Sequence, residues 1–284
     1  MSPQQQTAFP QLIIGLTLST IVALVARRRR ALTTGGALAA VLVGTITFGF
    51  GGWAWGLVLV AFFALSSALS RYRHAEKREL AHGFGKGAQR DQGQVLANGG
   101  LAAILALLYF SHPTAALLAA FLGAMATVNA DTWGTEIGVL SPAPPRLITT
   151  GRRVPVGASG GISLLGTAAS TLGALFIGLV GHILLGLEKM LAGDDPLQLS
   201  WIIPITLVGG LLGSLLDSLL GATVQGVFYC ARCEKETEKE VHGCGLRASH
   251  LRGWRWLNND VVNLLSSVGG AAVAMTLWGV ISGW

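Results

Sequence analysis

Charged residues are scarce in this chain. They make up 12% of its 284 residues, and hydrophobic residues make up 51%, whereas an average soluble domain is about 25% charged. So few charges cannot cover the surface of a water-soluble protein, and the mean hydropathy of +0.58 agrees with this. The composition excludes an ordinary soluble enzyme and favours an integral membrane protein.

Cysteine is also rare. The chain has three cysteines, and all lie in one short segment as Cys230, Cys233 and Cys244, with His242 close to the third. In a reducing compartment such thiols are metal ligands more often than disulfides, and three Cys with one His form a tetrahedral zinc set. Two interpretations remain open for residues 226–257: a cytoplasmic loop with a structural zinc knuckle, or one with free thiols.

Long apolar runs fill most of the chain. A run of about 18 such residues can cross the hydrocarbon core as a helix, which satisfies its own backbone hydrogen bonds. The clearest runs cover residues 12–26, 31–50, 53–70, 95–110, 114–128, 162–187, 201–221 and 261–281. We therefore predict an all-α polytopic membrane protein, with about eight transmembrane helices in a single domain over residues 1–284. The fourth and fifth runs are short, and residues 111–113 predict a tight helical hairpin between them.

Basic residues indicate the orientation. Of the 20 Lys and Arg residues, 19 fall in four segments that an eight-span topology places on one side, and basic loops stay in the cytoplasm. This predicts that both termini lie outside and that the four basic segments, including residues 27–30, are cytoplasmic. It also explains the pI of 9.7 without nucleic acid, which we do not expect as a partner. The first run leads into arginines instead of a cleavage site, so we expect it to remain a span.

A weak internal similarity relates two parts of the chain. Gly35 and Gly36 open the second run as Gly160 and Gly161 open the sixth, and each pair precedes two spans and a basic segment. This similarity allows a parallel internal repeat around a shared site. The sequence also allows a homodimer.

Four polar clusters lie at the ends of apolar runs, where polar groups are functional candidates. The first, RDQGQVLANGG at residues 90–100, places Asp91, Gln94 and Asn98 on one helical face. The alternative is a solvated helix start in which the helix dipole favours Asp91.

The second cluster is NADTWGTEIG at residues 129–138. Asp131 and Glu136 diverge on a straight helix, so they can act together only if the backbone bends, which Gly134 would permit. Carboxylates beside an amide such as Asn129 are oxygen ligands of the kind Mg²⁺ prefers. The alternative is an ion pair with a loop arginine.

The third cluster, residues 146–163, joins three arginines to a Gly and Ser stretch that opens a helix. Backbone amides at a helix N-terminus attract phosphate, and arginines bind phosphate oxygens. It lacks the Walker ending, and a flexible basic loop is the alternative. The candidate phosphate-binding residues are Arg146, Arg152, Arg153, Gly157, Ser159, Gly160 and Gly161.

The fourth cluster is divided between the last two spans. Asp217 lies in a stripe of small and polar residues repeated every four positions from residue 209 to residue 225. Asn259 and Asn263 share a helical face with Ser266, so both spans could present polar groups to one cavity. A packing seam of small residues is the alternative, but it would not need the carboxylate.

These segments, with DSLLGATVQ at 217–225 and NNDVVN at 258–263, resemble the phytyl-phosphate kinase family, part of a wider integral membrane family. The resemblance covers the chain from about Arg90 onward. It implies nucleotide-dependent phosphoryl transfer to an isoprenoid monophosphate such as phytyl or geranylgeranyl phosphate. More distantly, the pattern is similar to polyprenol kinases and phosphatidate cytidylyltransferases, which use CTP.

Phosphoryl transfer needs a metal, cations around the phosphates and in-line positioning, which suggests residue roles. We expect Asp131 and Glu136, with Asp217 or Asp260, to hold Mg²⁺, with Asp131, Asp91 and Asp260 as the catalytic candidates. The loop of residues 146–163 would bind the phosphates of CTP or another nucleoside triphosphate. Lys86 or Arg90 would bind the acceptor phosphate, and the isoprenoid tail would lie between spans in the bilayer. Asn98, Asn129, Asn259 and Asn263 complete the expected binding residues.

Two other functions fit part of the pattern. A transporter would need polar groups through the middle of the membrane, whereas most of those found here lie at the cytoplasmic ends of the runs. A cytidylyltransferase would release pyrophosphate instead of a nucleoside diphosphate, so analysis of the products separates it from a kinase.

Overall fold

The computed structural model describes residues 3–80, 89–195 and 199–283. Within these ranges, eight helices are long and apolar enough to cross a membrane. The all-α polytopic fold and the number of spans are therefore confirmed. The elements are α1 (Pro3–Arg28), α2 (Thr34–Gly51), α3 (Trp53–Arg71), α4 (His74–Leu80), α5 (Gln92–Ser111), α6 (Ala115–Gly138), β1 (Arg146–Leu147), β2 (Gly161–Ile162), α7 (Leu164–Ala192), α8 (Ile202–Thr223), β3 (Val227–Cys230), β4 (Lys235–Thr237), β5 (Ser249–Arg252) and α9 (Asn259–Ser282).

Helix α6 is the centre of the bundle. The most apolar window of α6 is 72% buried, against 17% for that of α1 at the periphery. Residues 118–130 are buried on every face of the helix, because they are apolar or small all round, and such a helix can be surrounded by others. Helices α7, α8 and α9 pack directly against α6, and α3 and α5 complete the ring.

Helix α6 is also longer than its apolar run. The hairpin that precedes it is confirmed: α5 ends at Ser111, and the Thr114 hydroxyl caps α6 by accepting a hydrogen bond from the Leu117 amide at 3.3 Å. The helix then continues without interruption through Gly134 to Gly138, so the bend that Asp131 and Glu136 would need in order to act together does not form. Gly134 instead permits close packing, since a Cβ there would collide with the Ser170 hydroxyl of α7.

The basic segments converge at one end of the bundle, which we call the loop end. The Arg71 guanidinium donates a hydrogen bond to the Arg29 carbonyl at 2.6 Å, and the Thr33 amide donates to the Arg90 carbonyl at 3.0 Å. The segments after α6 and α8 also meet there, through the 2.6 Å hydrogen bond that Ser159 donates to Glu238. This clustering is the arrangement that the orientation rule requires; that the loop end faces the cytoplasm stays a prediction.

The helix packing follows the internal repeat only in part. Helix α2 packs against α1 as its counterpart α7 packs against α6, but α2 also packs closely against α5, whereas α7 has no comparable contact with α9. The two halves differ in their neighbours because α6 lies at the centre of the bundle and α1 at its periphery.

Close helix packing around α6 depends on glycine, which generates a stability prediction. A Cβ at Gly270 of α9 would collide with the Thr127 hydroxyl and lie 2.9 Å from the Gly209 carbonyl of α8, whereas a Cβ at Gly100 would meet nothing within 4 Å. Gly270→Ala should destabilise the protein by roughly 1–3 kcal/mol through overpacking, and Gly100→Ala should not. Thermal unfolding of both variants in detergent tests this; equal melting temperatures would contradict the packing.

Candidate active site at the loop end of the bundle

A polar pocket of about 150 Å³ lies at the loop end, between α6, α7 and α8. Helix α6 contributes Asp131 and α8 contributes Asp217, while the loop between β1 and β2 and the residue after β4 form further walls. Its polar lining consists of Asp131, Thr135, Ser159, Ser163, Thr167, Ser170, Ser214, Asp217, Ser218, Gln225, Glu238 and Asn259. We call this cavity the polar pocket.

The N-terminus of α7 forms one wall of the polar pocket. The Ser163 hydroxyl caps the helix by accepting a hydrogen bond from the Gly166 amide at 3.1 Å. Thr167 and Ser170 follow along the same face. A helix N-terminus carries a partial positive charge and amides without intrahelical partners, so this wall favours an anion.

The glycine-rich loop lies where the sequence predicts it. Gly157, Ser159, Gly160 and Gly161 all line the polar pocket, and antiparallel pairing of β1 with β2 closes the loop at its base. Gly160 has φ of +82°, and a Cβ there would lie 2.6 Å from the Ala222 backbone nitrogen. Only glycine lets the loop lie against the end of α8 in this conformation.

Asp217 connects the polar pocket to α9 and α5. Its Oδ2 accepts a hydrogen bond from the Ser266 hydroxyl at 2.9 Å. The Asn263 amide lies between Asp217 and Asn98. In one orientation its nitrogen donates to Asn98 Oδ1 at 3.2 Å, and in the other its nitrogen donates to Asp217 Oδ2 at 3.1 Å. Helices α8 and α9, the seventh and eighth spans, therefore bring Asp217, Asn263 and Ser266 together, as the polar stripes in the sequence predict. Asn98 of α5 belongs to the same group of polar side chains.

The sequence reasoning missed several pocket residues, including Ser170, Ser214, Gln225 and Glu238. Gln225 is only 2% exposed, and its side-chain nitrogen, Nε2, has no hydrogen-bond partner in the described part of the chain, which makes it a donor for a bound group. It belongs to the stripe of small residues, which was the available signal. Glu238 lies 79 residues from its partner Ser159, and no local pattern distinguishes it from other loop acids.

A second cavity, of about 90 Å³, lies between α1, α2, α3 and α5. Its wall is apolar except for Ser19, Arg90, Gln94 and Asn98, and we call it the apolar cavity. The Arg90 guanidinium lies 5.5 Å from the centroids of the Phe62 and Phe63 rings. Burial lowers the pKa of Arg90 to about 10, against the opposing effect of Glu136, so the side chain remains a cation at neutral pH.

Glu136 does not share a site with Asp131. It accepts hydrogen bonds from Ser70 at 2.6 Å and from Lys77, whose Nζ lies 2.7 Å from Oε2. On a continuous helix the two carboxylates diverge, so Glu136 faces α3 and α4 while Asp131 faces the polar pocket. The expectation that Glu136 lies beside Asp131 is therefore corrected to an ion pair, formed with Lys77 instead of a loop arginine.

Asn129 and Asp91 serve structural roles in the fold. Asn129 is fully buried; its nitrogen donates to the Gly173 carbonyl at 2.7 Å, and its oxygen accepts from Ser66 at 3.3 Å. Asp91 is exposed and caps α5 in a reciprocal capping box with Gln94. Neither side chain lines the polar pocket, because the Asn129 amide joins α6 to α3 and α7 and the Asp91 carboxylate caps α5.

The remaining predicted residues lie around the two cavities. Arg146, Arg152 and Arg153 are exposed on the outer side of the loop, and Arg146 donates to the Gly151 carbonyl at 2.9 Å. Asp260 of α9 faces the start of α5, where a Cβ at Gly93 would lie 2.8 Å from its Oδ2. None of these four residues lines the polar pocket, and Lys86 lies outside the described residues.

The arrangement combines three chemical capacities. Carboxylates on different helices can hold a divalent cation with waters, the α7 N-terminus and the glycine-rich loop can bind phosphate, and a cation at the end of an apolar cavity can bind an amphiphilic anion. Within the described residues, the one group of three or more cysteine, histidine or acidic side chains whose ligand atoms converge lies outside this pocket, at Cys230, Cys233, His242 and Cys244.

Comparison with known proteins covers almost the whole chain. The family model described as Integral membrane protein DUF92 matches residues 17–271, a range that contains all four polar clusters. Protein PGR of Arabidopsis thaliana is 34% identical over 90% of this chain and 92% of its own length. A membrane protein of Methanocaldococcus jannaschii is 28% identical over 94% of each chain. Protein VTE6, chloroplastic, of Arabidopsis thaliana is 26% identical over 87% of this chain and 65% of its own length. No solved structure shows a significant match.

The close approach of the glycine-rich loop to α8 can be tested with a matched pair of variants. Gly160 and Gly151 both have positive φ, but a Cβ at Gly151 would meet nothing within 4 Å. Both Ala variants should lose about 1 kcal/mol to the backbone conformation, and Gly160→Ala should lose roughly 1–3 kcal/mol more through the clash with Ala222. Thermal unfolding in detergent measures the difference, and equal losses would show that the loop does not contact α8 in this way.

Proposed function

This chain belongs to the integral membrane protein family DUF92, and from that premise we propose that it is an isoprenoid-phosphate kinase. It transfers the terminal phosphoryl group of CTP or another nucleoside triphosphate to an isoprenoid monophosphate such as phytyl or geranylgeranyl phosphate. The resemblance of four motifs to the phytyl-phosphate kinase family supports the reaction class.

The proposal rests on one observation. The polar pocket and the apolar cavity lie on either side of a group of neighbouring polar side chains, Asp217, Asn263 and Asn98. Asp217 lines the polar pocket, Asn98 lines the apolar cavity, and Asn263 lies between them at 3.1 and 3.2 Å. A kinase acting on a lipid must bring a very polar donor and a largely apolar acceptor together at their phosphates. Two cavities of opposite character that meet at polar side chains match this requirement.

The reaction forms one P–O bond and breaks another. A phosphate oxygen of the isoprenoid monophosphate attacks the terminal phosphorus of the nucleotide, the bond to the bridging oxygen breaks, and a nucleoside diphosphate leaves. A phosphate monoester has its second pKa near 6, so the acceptor is mostly a dianion at neutral pH and needs no general base. The exposed position of Asp91 as a helix cap is therefore compatible with turnover.

The polar pocket supplies the groups for the nucleotide phosphates. The α7 N-terminus, the glycine-rich loop and the buried Gln225 amide offer N–H donors, which bind phosphate oxygens and hold the terminal phosphate in line. Exposed Arg146, Arg152 and Arg153 lie on the same loop, where their charge attracts the nucleotide electrostatically.

The same pocket fits a magnesium ion. Asp131 and Asp217 come from different helices, and Ser170 and Ser214 add hydroxyl oxygens. Protein sites for Mg²⁺ typically use one or two carboxylates, with waters and substrate phosphates completing the shell. Asp131 and Asp217 would hold the ion, and its charge would offset the negative charge of the phosphates during transfer.

The apolar cavity suits the acceptor. Leu18, Leu57 and Val60 line it and are 43%, 38% and 37% exposed, so its wall reaches the surface of the bundle that faces lipid. An isoprenoid chain can enter from the bilayer there, with its phosphate at Arg90. Because Arg90 remains cationic, it can pair with the phosphate and position the attacking oxygen.

The distribution of polar groups favours chemistry over transport. Asp131, Asp217, Asn259 and Asn263 lie near the helix ends from which the basic segments extend, whereas a transporter binds its substrate near the middle of the membrane. A cytidylyltransferase could use the same pocket, and release of pyrophosphate instead of a nucleoside diphosphate would identify it.

We expect the two pocket carboxylates to be necessary for turnover. Purified protein is incubated in detergent with Mg²⁺, geranylgeranyl phosphate and labelled CTP or ATP, and the lipid products are separated. Asp131→Asn and Asp217→Asn should each reduce kcat/KM at least about tenfold, which is about 1.4 kcal/mol of barrier. Asp194→Asn is the control, because Asp194 is 61% exposed at the opposite end. Full activity of Asp131→Asn would remove that residue from the metal role, and no turnover with any donor or prenyl phosphate by folded wild-type protein would reject the kinase.

Selectivity for the chain length of the acceptor tests whether the apolar cavity binds the isoprenoid tail. Ala40 lines the apolar cavity, so Ala40→Phe should occupy the space of the isoprenoid tail. We expect it to raise KM for geranylgeranyl phosphate about tenfold or more, with little change for dimethylallyl phosphate or the nucleotide. The matched control is Leu38→Phe, on the same helix but 69% exposed. Equal KM values for the long acceptor in both variants would place the tail elsewhere.

A further inference from the structure

The segment between α8 and α9 folds into a small sheet with very little core. Strands β4, β3 and β5 pair antiparallel in that spatial order, and we call residues 227–252 the sheet module. Its apolar cluster consists of the buried residues Phe228, Cys230 and Ala248, with Cys233 and Cys244 packed against them. Units of fewer than about 40 residues usually need a disulfide, a metal or a partner to remain folded, and the three cysteines are all free.

Four side chains of this module converge on one point. The ligand atoms of Cys230, Cys233, His242 and Cys244 all lie within 4.8 Å of one another. The Cys230 and Cys244 sulfurs are 3.6 Å apart, and His242 Nδ1 lies 3.3 Å from the Cys244 sulfur. Tetrahedral zinc with Zn–S bonds of about 2.3 Å requires sulfurs about 3.8 Å apart, with a slightly shorter N–S edge. The side chains are therefore already arranged as a Cys3His coordination shell.

The backbone explains how residues so close in sequence can surround one atom. Cys230 ends β3 and Cys233 lies in the following turn, which Glu234 closes with φ of +50°. His242 and Cys244 lie in a second turn, in which the Gly245 amide donates to the His242 carbonyl at 2.9 Å. The pairing of β3 with β4 and β5 brings the two turns together.

The sheet module also forms part of the polar pocket. Glu238 follows β4 directly and accepts the 2.6 Å hydrogen bond from Ser159 in the glycine-rich loop. Arg252 of β5 donates to the Gly221 and Ala222 carbonyls at 3.1 and 3.0 Å, which attaches the module to the end of α8. The position of one pocket wall therefore depends on the fold of the module.

We propose that Cys230, Cys233, His242 and Cys244 bind one structural Zn²⁺, and that this metal holds Glu238 and the glycine-rich loop in place at the polar pocket. All four positions of the tetrahedron are occupied by protein side chains, so the ion has no open position for a substrate and does not take part in phosphoryl transfer. Glu238 is thereby a positioning residue that acts through Ser159. This inference does not rest on the kinase activity.

Metal analysis of the full-length protein in detergent tests the site. Protein purified without chelators should contain about one zinc per chain, and Co²⁺ added after zinc removal should give the absorption bands of a tetrahedral thiolate site. His242→Ala should lose the zinc, whereas His242→Cys should retain it because a thiolate replaces the imidazole. Lys235→Ala, on the exposed face of β4, is the control and should retain it. Wild-type protein that contains no zinc and gives no cobalt spectrum would overturn the site, even if a variant failed to fold.

Hydrogen exchange tests the positioning role on the same samples. Removal of zinc from the wild-type protein should accelerate amide exchange in residues 227–252 and also in residues 157–161 of the glycine-rich loop. Ser159→Ala should accelerate exchange in the loop while the zinc content remains unchanged. If zinc removal alters the sheet module but leaves the loop as protected as before, the metal does not position the pocket wall and that part of the proposal fails.

Discussion

Polar side chains carried by α6 into the apolar bundle must find their partners within the protein, because lipid offers no hydrogen bonds. Asn129 uses Gly173 of α7 and Ser66 of α3, and Glu136 uses Lys77 and Ser70. These contacts require α3 and α7 to pack closely on α6. Asp131 lies between the two residues in sequence but faces a third direction, toward α8, where it lines the polar pocket. The hydrogen bonds of Asn129 and Glu136 thus fix which sides of α6 face α3, α4 and α7, and this orientation turns Asp131 toward the polar pocket.

Glycine residues allow the helices around α6 to approach one another this closely. A Cβ on Gly123 of α6 would lie 2.6 Å from the Gly270 carbonyl of α9, and a Cβ on Gly209 of α8 would lie 3.0 Å from the same atom. Three helices therefore meet almost backbone to backbone at this point. Since hydrocarbon tails do not drive apolar helices together, such close contact is how membrane helices associate. It brings Asp217 of α8 within hydrogen-bond distance of Ser266 and Asn263 of α9.

The polar pocket and the apolar cavity suit two chemically different groups, the phosphates of a nucleotide and the hydrocarbon chain of a lipid. Phosphate groups need amides, cations and metal-binding oxygens, whereas an isoprenoid chain needs apolar walls that open to lipid. A single pocket cannot readily satisfy both, because burying unpaired polar groups beside apolar walls is costly. Here Asn98 and Asn263 form the polar boundary between the cavities. The sheet module contributes Glu238 from the water side, and the inferred zinc site gives this small unit the rigidity that its core cannot supply.

Local pattern in the sequence determined the spans, the hairpin between α5 and α6, the cap at Asp91, the glycine-rich loop and the shared face of Asn259 and Asn263. These features depend on hydropathy over consecutive residues and on helical spacing, so a linear sequence contains them. Only the tertiary structure decided that Glu136 pairs with Lys77, 59 residues away, that Asn129 is fully buried, and that Gln225 and Glu238 line the pocket with Asp131. Helical periodicity states which residues share a face, but the neighbour that a face meets depends on contacts between distant segments. Glu136 and Asp131, five residues apart on one unbroken helix, therefore face different surroundings.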